Sequence, residues 1–164
     1  MHLNRYIVVI FTLLLIIPKI GLAQPCIDSL KISPYYPCPD PTFYPVCGCN
    51  GKTYRNDCDA KYKNGVNYWT GDGPCSGFEF DILPTIVTNE SFLNFVLVQN
   101  IDVPATLNIV DTYGKIMYYR TLPAQKRIEL QINEFISWQV GVYIMLVYNG
   151  KGAYRYQKFV KVGF

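Results

Sequence analysis

Six cysteines are the residues of this chain best suited to covalent chemistry, and all of them lie between Cys26 and Cys75. An even number of cysteines in a short, loop-rich segment indicates disulfide bridges if the chain is exported, although spacing alone does not choose among the pairings. A cysteine-rich metal site is the alternative, but the sequence contains no paired Cys-x-x-Cys knuckles of the kind such sites use. We therefore expect a disulfide-stapled segment with no metal or other cofactor.

Residues 1–23 have the pattern of an export signal. Arg5 supplies a short basic start, residues 6–17 are an unbroken apolar run, and Gly21-Leu22-Ala23 places small residues where a signal peptidase cleaves. The apolar run is too short to span a bilayer comfortably as a resident helix. We predict a signal peptide cleaved after Ala23 and no resident membrane span. An uncleaved N-terminal anchor is the alternative.

Histidine chemistry is missing from the expected mature chain, because the only histidine, His2, lies in the predicted signal peptide. Without an imidazole, neither a Ser-His-Asp or Cys-His hydrolase nor a His-based zinc site can be assembled. A Ser-Lys dyad or a carboxylate pair remains possible in principle, but the serines and lysines lie in no recognisable catalytic frame. We expect that this protein is not an enzyme.

The charge balance excludes other partner classes. The full sequence has 15 basic and 12 acidic residues, and removal of residues 1–23 takes away Arg5 and Lys19. The mature chain is therefore nearly neutral, and it contains no basic run or charged helical face. This pattern favours neither nucleic acid nor an anionic membrane surface as a partner.

Two runs within the cysteine-rich half carry a recognisable motif. Residues 44–48 read Tyr-Pro-Val-Cys-Gly, and residues 50–58 read Asn-Gly-Lys-Thr-Tyr-Arg-Asn-Asp-Cys. Together they resemble the core of Kazal-type serine protease inhibitors, and the resemblance extends from Cys26 to Cys75. It implies a Kazal-like domain over residues 24–75.

The same resemblance implies a disulfide pairing. The family pattern joins Cys38 to Cys58 and Cys47 to Cys75. Many members carry their fifth cysteine on the helix, where this chain has none, and the spare cysteine here is Cys49. If the two family bridges persist, Cys26 pairs with Cys49.

Local signals within the motif predict a hairpin packed on a short helix. Asn50-Gly51 is a favoured pair for a two-residue turn in which both central positions have positive φ. The flanking residues 46–47 and 53–54 would form its strands. Residues 57–63 have helix-forming character, with Asn56 or Asp57 able to cap the start and Asn64-Gly65 to end it.

The resemblance also implies a function. In Kazal inhibitors a rigid loop after the second cysteine enters a serine protease as a substrate would, and the residue corresponding to Asn56 supports it. The loop here runs from Cys38 to Cys47, and its protease-binding residues would be Pro39, Asp40, Pro41, Thr42 and Phe43. We expect an extracellular serine protease as partner.

The loop contains one residue more than the most familiar spacing, which leaves its primary specificity position open. Counting forward from Cys38 selects Asp40, and counting back from Cys47 selects Pro41. Neither residue suits a trypsin-like or chymotrypsin-like pocket, because an aspartate facing an acidic pocket would be repelled and desolvated. The alternative function is therefore a non-inhibitory extracellular interaction or adhesion module on the same scaffold.

The chain beyond a linker at residues 76–81 reads as successive strands. Residues 92–98 are nearly all apolar, whereas residues 105–109 and 128–132 alternate between apolar and polar side chains. Short alternating segments separated by turn signals predict an antiparallel β-sandwich of immunoglobulin-like type. Residues 142–148 and 154–162 would form its closing hairpin.

Several of these segments resemble the C-terminal sorting domain of the type IX secretion system. The matching residues are 105–111 with Gly114-Lys115, 141–144 (Gly-Val-Tyr-Ile), and the ending 158–162. The resemblance implies a sorting domain over residues 82–164 that an outer-membrane translocon reads after passage through the periplasm and can remove there. An ordinary immunoglobulin-like binding module is the alternative.

These predictions combine into one organisation. We expect a small disulfide-rich α+β Kazal domain followed by an all-β immunoglobulin-like sandwich, in a protein that is secreted or held at the cell surface.

Overall fold

A computed structural model describes residues 24–163. The signal-peptide prediction, with cleavage after Ala23, concerns residues outside this range. The described chain is mostly β-structure, and it has a small sheet within residues 24–75, here called the cysteine-rich region, and two further sheets within residues 76–163, here called the β region. The strands are β1 Val46–Gly48, β2 Thr53–Tyr54, β3 Trp69–Asp72, β4 Phe78–Leu83, β5 Ile86–Val87, β6 Leu93–Gln99, β7 Ala105–Asp111, β8 Ile116–Leu122, β9 Arg127–Ile132, β10 Gly141–Asn149 and β11 Tyr154–Lys161.

Helical structure within the described range is short. Two 3₁₀ turns occupy Ser29–Lys31 and Glu134–Ser137, and a π-helical turn occupies Asp59–Lys63. Among residues 24–163, no helix is long and apolar enough to cross a membrane.

Three disulfides staple the cysteine-rich region. They join Cys26 to Cys49, Cys38 to Cys58 and Cys47 to Cys75, which are the pairs implied by the family resemblance. The bridged residues are 23, 20 and 28 positions apart, so by loop entropy each bridge contributes about 3 kcal/mol. A region of this size has too little apolar surface for a secure core without such cross-links.

The small sheet has the strand order β2-β1-β3, with antiparallel pairing throughout. The predicted hairpin is present, since Val46 pairs with Tyr54 and Cys47 with Thr53. The third strand was not predicted, because its four residues, Trp-Thr-Gly-Asp, lack any alternation.

The turn between β1 and β2 differs from the prediction. The chain reverses through three residues, Cys49, Asn50 and Gly51, closed by the Gly48 N–H on the Lys52 carbonyl at 3.0 Å. Of these three residues only Gly51 has a positive φ, at 73°, and every residue with positive φ within 24–163 is a glycine. The two-residue turn is therefore wrong, because a three-residue turn demands the left-handed conformation only at its last position.

A short helical segment follows β2, as predicted. It covers residues 57–64 and begins where the Asn56 side chain accepts a hydrogen bond of 2.8 Å from the Asp59 N–H. It ends before Gly65, whose φ of 66° and closeness to the Asp28 carbonyl leave no room for a Cβ. Its fully buried residue, Ala60, packs with Val46, Tyr54 and Val66 in the small core.

The β region contains a five-stranded sheet, in the order β5-β11-β10-β7-β8, and a three-stranded sheet, β4-β6-β9. The predicted closing hairpin is confirmed, because β10 pairs with β11 from Gly141 opposite Lys161 to Tyr148 opposite Tyr154. Pairing is antiparallel except between β11 and β5, where Val160 lies opposite Ile86. That short parallel edge departs from the all-antiparallel prediction.

One apolar core fills the space between these two sheets. Alternate residues of β4, β6, β7 and β10 point inward, as a period of two requires. The fully buried side chains include Phe78, Phe80, Ile82, Leu93, Phe95, Leu97, Leu107, Ile109, Ile132, Met145 and Val147.

The segment 76–81, expected to be a linker, is strand from Phe78 onward. Phe78 and Phe80 are fully buried, and Glu79 and Asp81 alternate with them. The alternation of apolar and acidic side chains over residues 78–82 favours a strand, and pairing with β6 completes it. The β region therefore begins almost directly after the last cysteine.

Lys161 is a buried cation near the end of β11. Its side chain is 3 % exposed, and its Nζ donates hydrogen bonds of 2.6 Å to the carbonyls of Ile136 and Trp138. These carbonyls lie at the end of the 3₁₀ turn, whose Phe135 packs in the core. The lysine therefore ties this turn to the five-stranded sheet.

Candidate functional site

The loop from Cys38 to Cys47 lies between two disulfides, one at each end. Its tip is exposed at Pro39, Asp40 and Pro41, whereas the Phe43 side chain is only 8 % exposed. The five predicted binding residues therefore do not share one surface. The first three face solvent, and the last is packed inside.

Asn56 lies beneath the loop and contacts it at two points. Its Nδ2 donates hydrogen bonds of 3.2 Å to the carbonyls of Asp40 and Thr42, while its Oδ1 accepts from the Asp59 N–H. The side chain is 6 % exposed, so all of its polar atoms need partners and all have them. Asn56 thus joins the loop to the start of the helical segment, on both sides of Pro41.

Asp40 braces the same segment from its exposed side. Its Oδ1 accepts hydrogen bonds from the hydroxyl and, at 2.8 Å, from the backbone N–H of Thr42. The Thr42 hydroxyl and then its N–H hold the pKa of the Asp40 carboxyl below its ordinary value of 3.8. The carboxylate is therefore turned back onto the loop.

Arg55 contacts the loop at Pro41. Its Nε and Nη2 donate hydrogen bonds of 3.3 and 3.1 Å to the Pro41 carbonyl, and its Nη1 forms an ion pair with Asp81 in β4. The guanidinium also lies 5.6 Å from the centroid of the Phe43 ring, in a cation–π arrangement. One side chain thus connects the loop tip to the β region.

Arg127 of β9 holds the next part of the loop. Its Nη1 donates a hydrogen bond of 2.8 Å to the Phe43 carbonyl, and its guanidinium lies 4.4 Å from the centroid of the Tyr44 ring. Its Nε pairs with Glu129 at 2.7 Å, which orients the guanidinium plane. The Phe43 carbonyl, which follows Thr42 in the loop, is therefore hydrogen-bonded to the β region.

Two clefts separate the loop from the β region, and Arg127 lines both of them. The smaller is walled by Pro41, Thr42 and Phe43 on one side. Its other side is formed by β4, β6 and β9 residues, namely Asp81, Leu83, Asn94, Val96, Arg127 and Glu129. The predicted binding loop therefore faces a wall made by its own chain.

Sequence reasoning did not identify Arg55, Asp81 or Arg127. Arg55 lies inside the recognised motif directly before Asn56, so its position was a usable signal. Asp81 and Arg127 are single charges on alternating strands and resemble ordinary solvated residues. Within residues 24–163, no group of three or more His, Cys, Asp or Glu side chains could hold a metal ion.

No family model and no curated protein sequence matches this chain. Distant structural matches exist. One is the sulfur carrier protein SoxY from Chlorobium limicola f thiosulfatophilum, at 14 % identity and a TM-score of 0.32, covering 54 % of this chain and 80 % of that one. Another is a β-glucosidase from Listeria innocua, at 8 % identity and a TM-score of 0.37, covering 53 % of this chain and 16 % of the glucosidase. Neither likeness is close enough to indicate a function.

Proposed function

We propose that the cysteine-rich region is a Kazal-like serine protease inhibitor that acts through a substrate-like loop. The contact of Asn56 with the carbonyls of Asp40 and Thr42 is the observation that carries this proposal. The two disulfides at the loop ends and the Asp40 carboxylate on Thr42 add further restraint. A loop held this firmly loses little conformational entropy when it binds, which is the physical basis of such inhibition.

The same contacts favour Pro41 over Asp40 at the primary specificity position. In extended backbone, successive peptide groups alternate in direction. The carbonyls of Asp40 and Thr42 accept hydrogen bonds from Asn56, whereas the intervening carbonyl of Pro41 does not contact Asn56 and accepts from Arg55 instead. A protease needs an outward carbonyl for its oxyanion donors. The candidate bond is therefore Pro41–Thr42, and the target would be a serine protease that accepts proline before the cleaved bond.

For the β region we propose an immunoglobulin-like sandwich that serves as a type IX sorting domain. Three of the segments that carry the resemblance, residues 105–111, 141–144 and 158–162, lie in β7, in β10 and at the end of β11, with only the last residue beyond that strand. These strands are neighbours in one sheet, so the segments are contiguous in space. A translocon in the outer membrane would read this sheet, and the protein would reach the cell surface or the medium through the periplasm.

A non-inhibitory interaction module is the second candidate function. The observation in its favour is that both Arg55 and Arg127 already bind loop carbonyls. A loop with its carbonyls occupied in this way could act simply as a scaffold element.

Inhibition assays with the complete mature chain separate the two functions. We would measure inhibition constants against trypsin, chymotrypsin, elastase and a post-proline serine protease. We expect measurable inhibition of the post-proline enzyme, weakened at least about tenfold by Pro41→Gly and by Asn56→Ala. The matched control is Pro123→Ala, an exposed proline in the β region. Inhibition that is insensitive to both loop variants, or absent for every protease, would contradict the substrate-like mechanism.

A further inference from the structure

The β region occupies the side of the loop that a protease would have to approach. If Pro41–Thr42 is the bond offered, the Pro41 carbonyl must be free for oxyanion donors, and the residues after Thr42 must be free to bind in extended form. The Pro41 carbonyl and the residue after Thr42 both already form hydrogen bonds within this chain.

The first occupied atom is the Pro41 carbonyl oxygen. Two nitrogens of Arg55 donate to it, at 3.3 and 3.1 Å. Charged donors give hydrogen bonds about twice as strong as neutral ones, so this guanidinium is an effective cap. Arg55 is not free to leave, because its third nitrogen pairs with Asp81, whose side chain is only 16 % exposed.

The second occupied part is Phe43. Its side chain is buried, and its carbonyl accepts the 2.8 Å hydrogen bond from Arg127. A protease that bound the chain beyond Thr42 would have to displace this guanidinium from both Phe43 and the Tyr44 ring. Pro41, Thr42 and Phe43 also line the small cleft whose opposite wall is the three-stranded sheet.

We propose that the β region masks the loop, with Asp81 and Arg127 as the two anchoring residues, so that protease and β region compete for one surface. This inference rests on the proposed inhibitory function. The intact chain is then a weak inhibitor, and removal or displacement of the β region yields the strong form. The apparent dissociation constant of the intact chain equals the constant for the unmasked loop divided by the fraction of molecules in which the loop is unmasked.

The test uses the complete mature chain and the double variant Asp81→Asn/Arg127→Gln. Both residues lie in the β region, outside the loop, so the protease-contacting residues are unchanged. The matched control is Glu79→Gln/Arg155→Gln, which removes a 3.5 Å ion pair between β4 and β11 that does not touch the loop. For each chain we would measure inhibition of the post-proline protease and amide hydrogen exchange at Thr42, Phe43 and Tyr44.

We expect the double variant to inhibit about tenfold more tightly than the wild type, with the control unchanged. We also expect faster exchange at Tyr44, because its N–H belongs to the peptide group whose carbonyl Arg127 binds and itself donates to the Arg55 carbonyl. Equal inhibition and equal exchange in the double variant and the wild type would overturn the masking proposal. Faster exchange without inhibition in any chain would leave the masking contact supported and contradict the inhibitory function instead. The two failures are therefore distinguishable.

Discussion

The Nη1 of Arg127 donates a hydrogen bond of 2.8 Å to the backbone carbonyl of Phe43, a residue 84 positions earlier in the chain. It joins β9 of the β region to the loop of the cysteine-rich region. Together with the ion pair between Arg55 and Asp81, it makes the loop conformation a property of both regions. The cysteine-rich region alone does not determine which loop atoms are accessible.

Replacing Asn56 with alanine should loosen the loop and destabilise the fold. Three hydrogen bonds are lost at a buried position, which we expect to lower the free energy of unfolding by about 2–3 kcal/mol. Denaturant titration with the disulfides intact would measure this loss. The control, Asn64→Ala, removes one hydrogen bond to Asp59 at the other end of the helical segment and should cost about 1 kcal/mol. Equal losses in the two variants would contradict a special role for Asn56.

The hydrogen bonds that the Asp40 carboxylate accepts from Thr42 should weaken in acid. The pKa of Asp40 is lowered in the folded protein, so its stabilising effect is complete above the ordinary value of 3.8 and is lost as the pH falls through the folded value. Carbon NMR of the carboxyl group should give a midpoint below 3.8. Because the Thr42 hydroxyl is the largest cause, Thr42→Val should raise this midpoint, whereas Thr70→Val should leave it in place. An unchanged midpoint in Thr42→Val would show that the hydroxyl does not hold the carboxylate.

The pH dependence that Glu79 gives to the free energy of unfolding should have the opposite sign to that of Asp40 and should lie in a different pH range. Burial raises its pKa above the ordinary 4.5, despite the opposing hydrogen bond from Phe80 and the charge of Arg155. Between 4.5 and the folded value the native state binds more protons than the unfolded state. The Glu79 contribution should therefore grow more favourable as the pH falls through this window. Denaturant titrations at a series of pH values should show this component in the wild type and in the Glu90→Gln control, and not in Glu79→Gln.

The bridge between Cys26 and Cys49 should stabilise the fold without shaping the loop. Its removal in Cys26→Ser/Cys49→Ser should cost about 3 kcal/mol, and so should removal of the Cys38–Cys58 bridge. Only the second variant should accelerate amide exchange at Thr42, because Cys38 begins the loop and Cys58 lies two residues after Asn56, which supports the loop. Peptide mapping of the wild type should recover the three observed pairs. Any other partner for Cys26 would refute this connectivity.

The terminal segment contains one lysine with a structural role. Lys161→Met would leave the carbonyls of Ile136 and Trp138 without a donor, at a cost of about 2–4 kcal/mol. The exposed Lys158→Met should stay within about 0.5 kcal/mol of the wild type. Thermal or denaturant unfolding would measure both. A test of the proposed sorting role should compare only variants of equal stability, since a secretion defect in Lys161→Met would otherwise report misfolding.

Local sequence signals determined much of the architecture. The alternation in residues 105–109 and 128–132 predicted strands, because a strand with one buried face requires a period of two. The glycine after Asn64 ended the helical segment where predicted, because that position has a left-handed backbone. The first strand of the β region was predicted to be a linker, although Phe78 to Ile82 alternate between apolar and acidic side chains.

Only the tertiary structure decided which face of the loop is free. The motif identified the loop and Asn56 but left Asp40 and Pro41 as alternatives, because counting along a chain does not reveal the direction of a carbonyl. The contacts of Arg55 with Asp81 and of Arg127 with Phe43 depend on strands brought together from distant positions. No local pattern encodes such pairs, because their energy exists only when the sheet of the β region places both charges beside the loop.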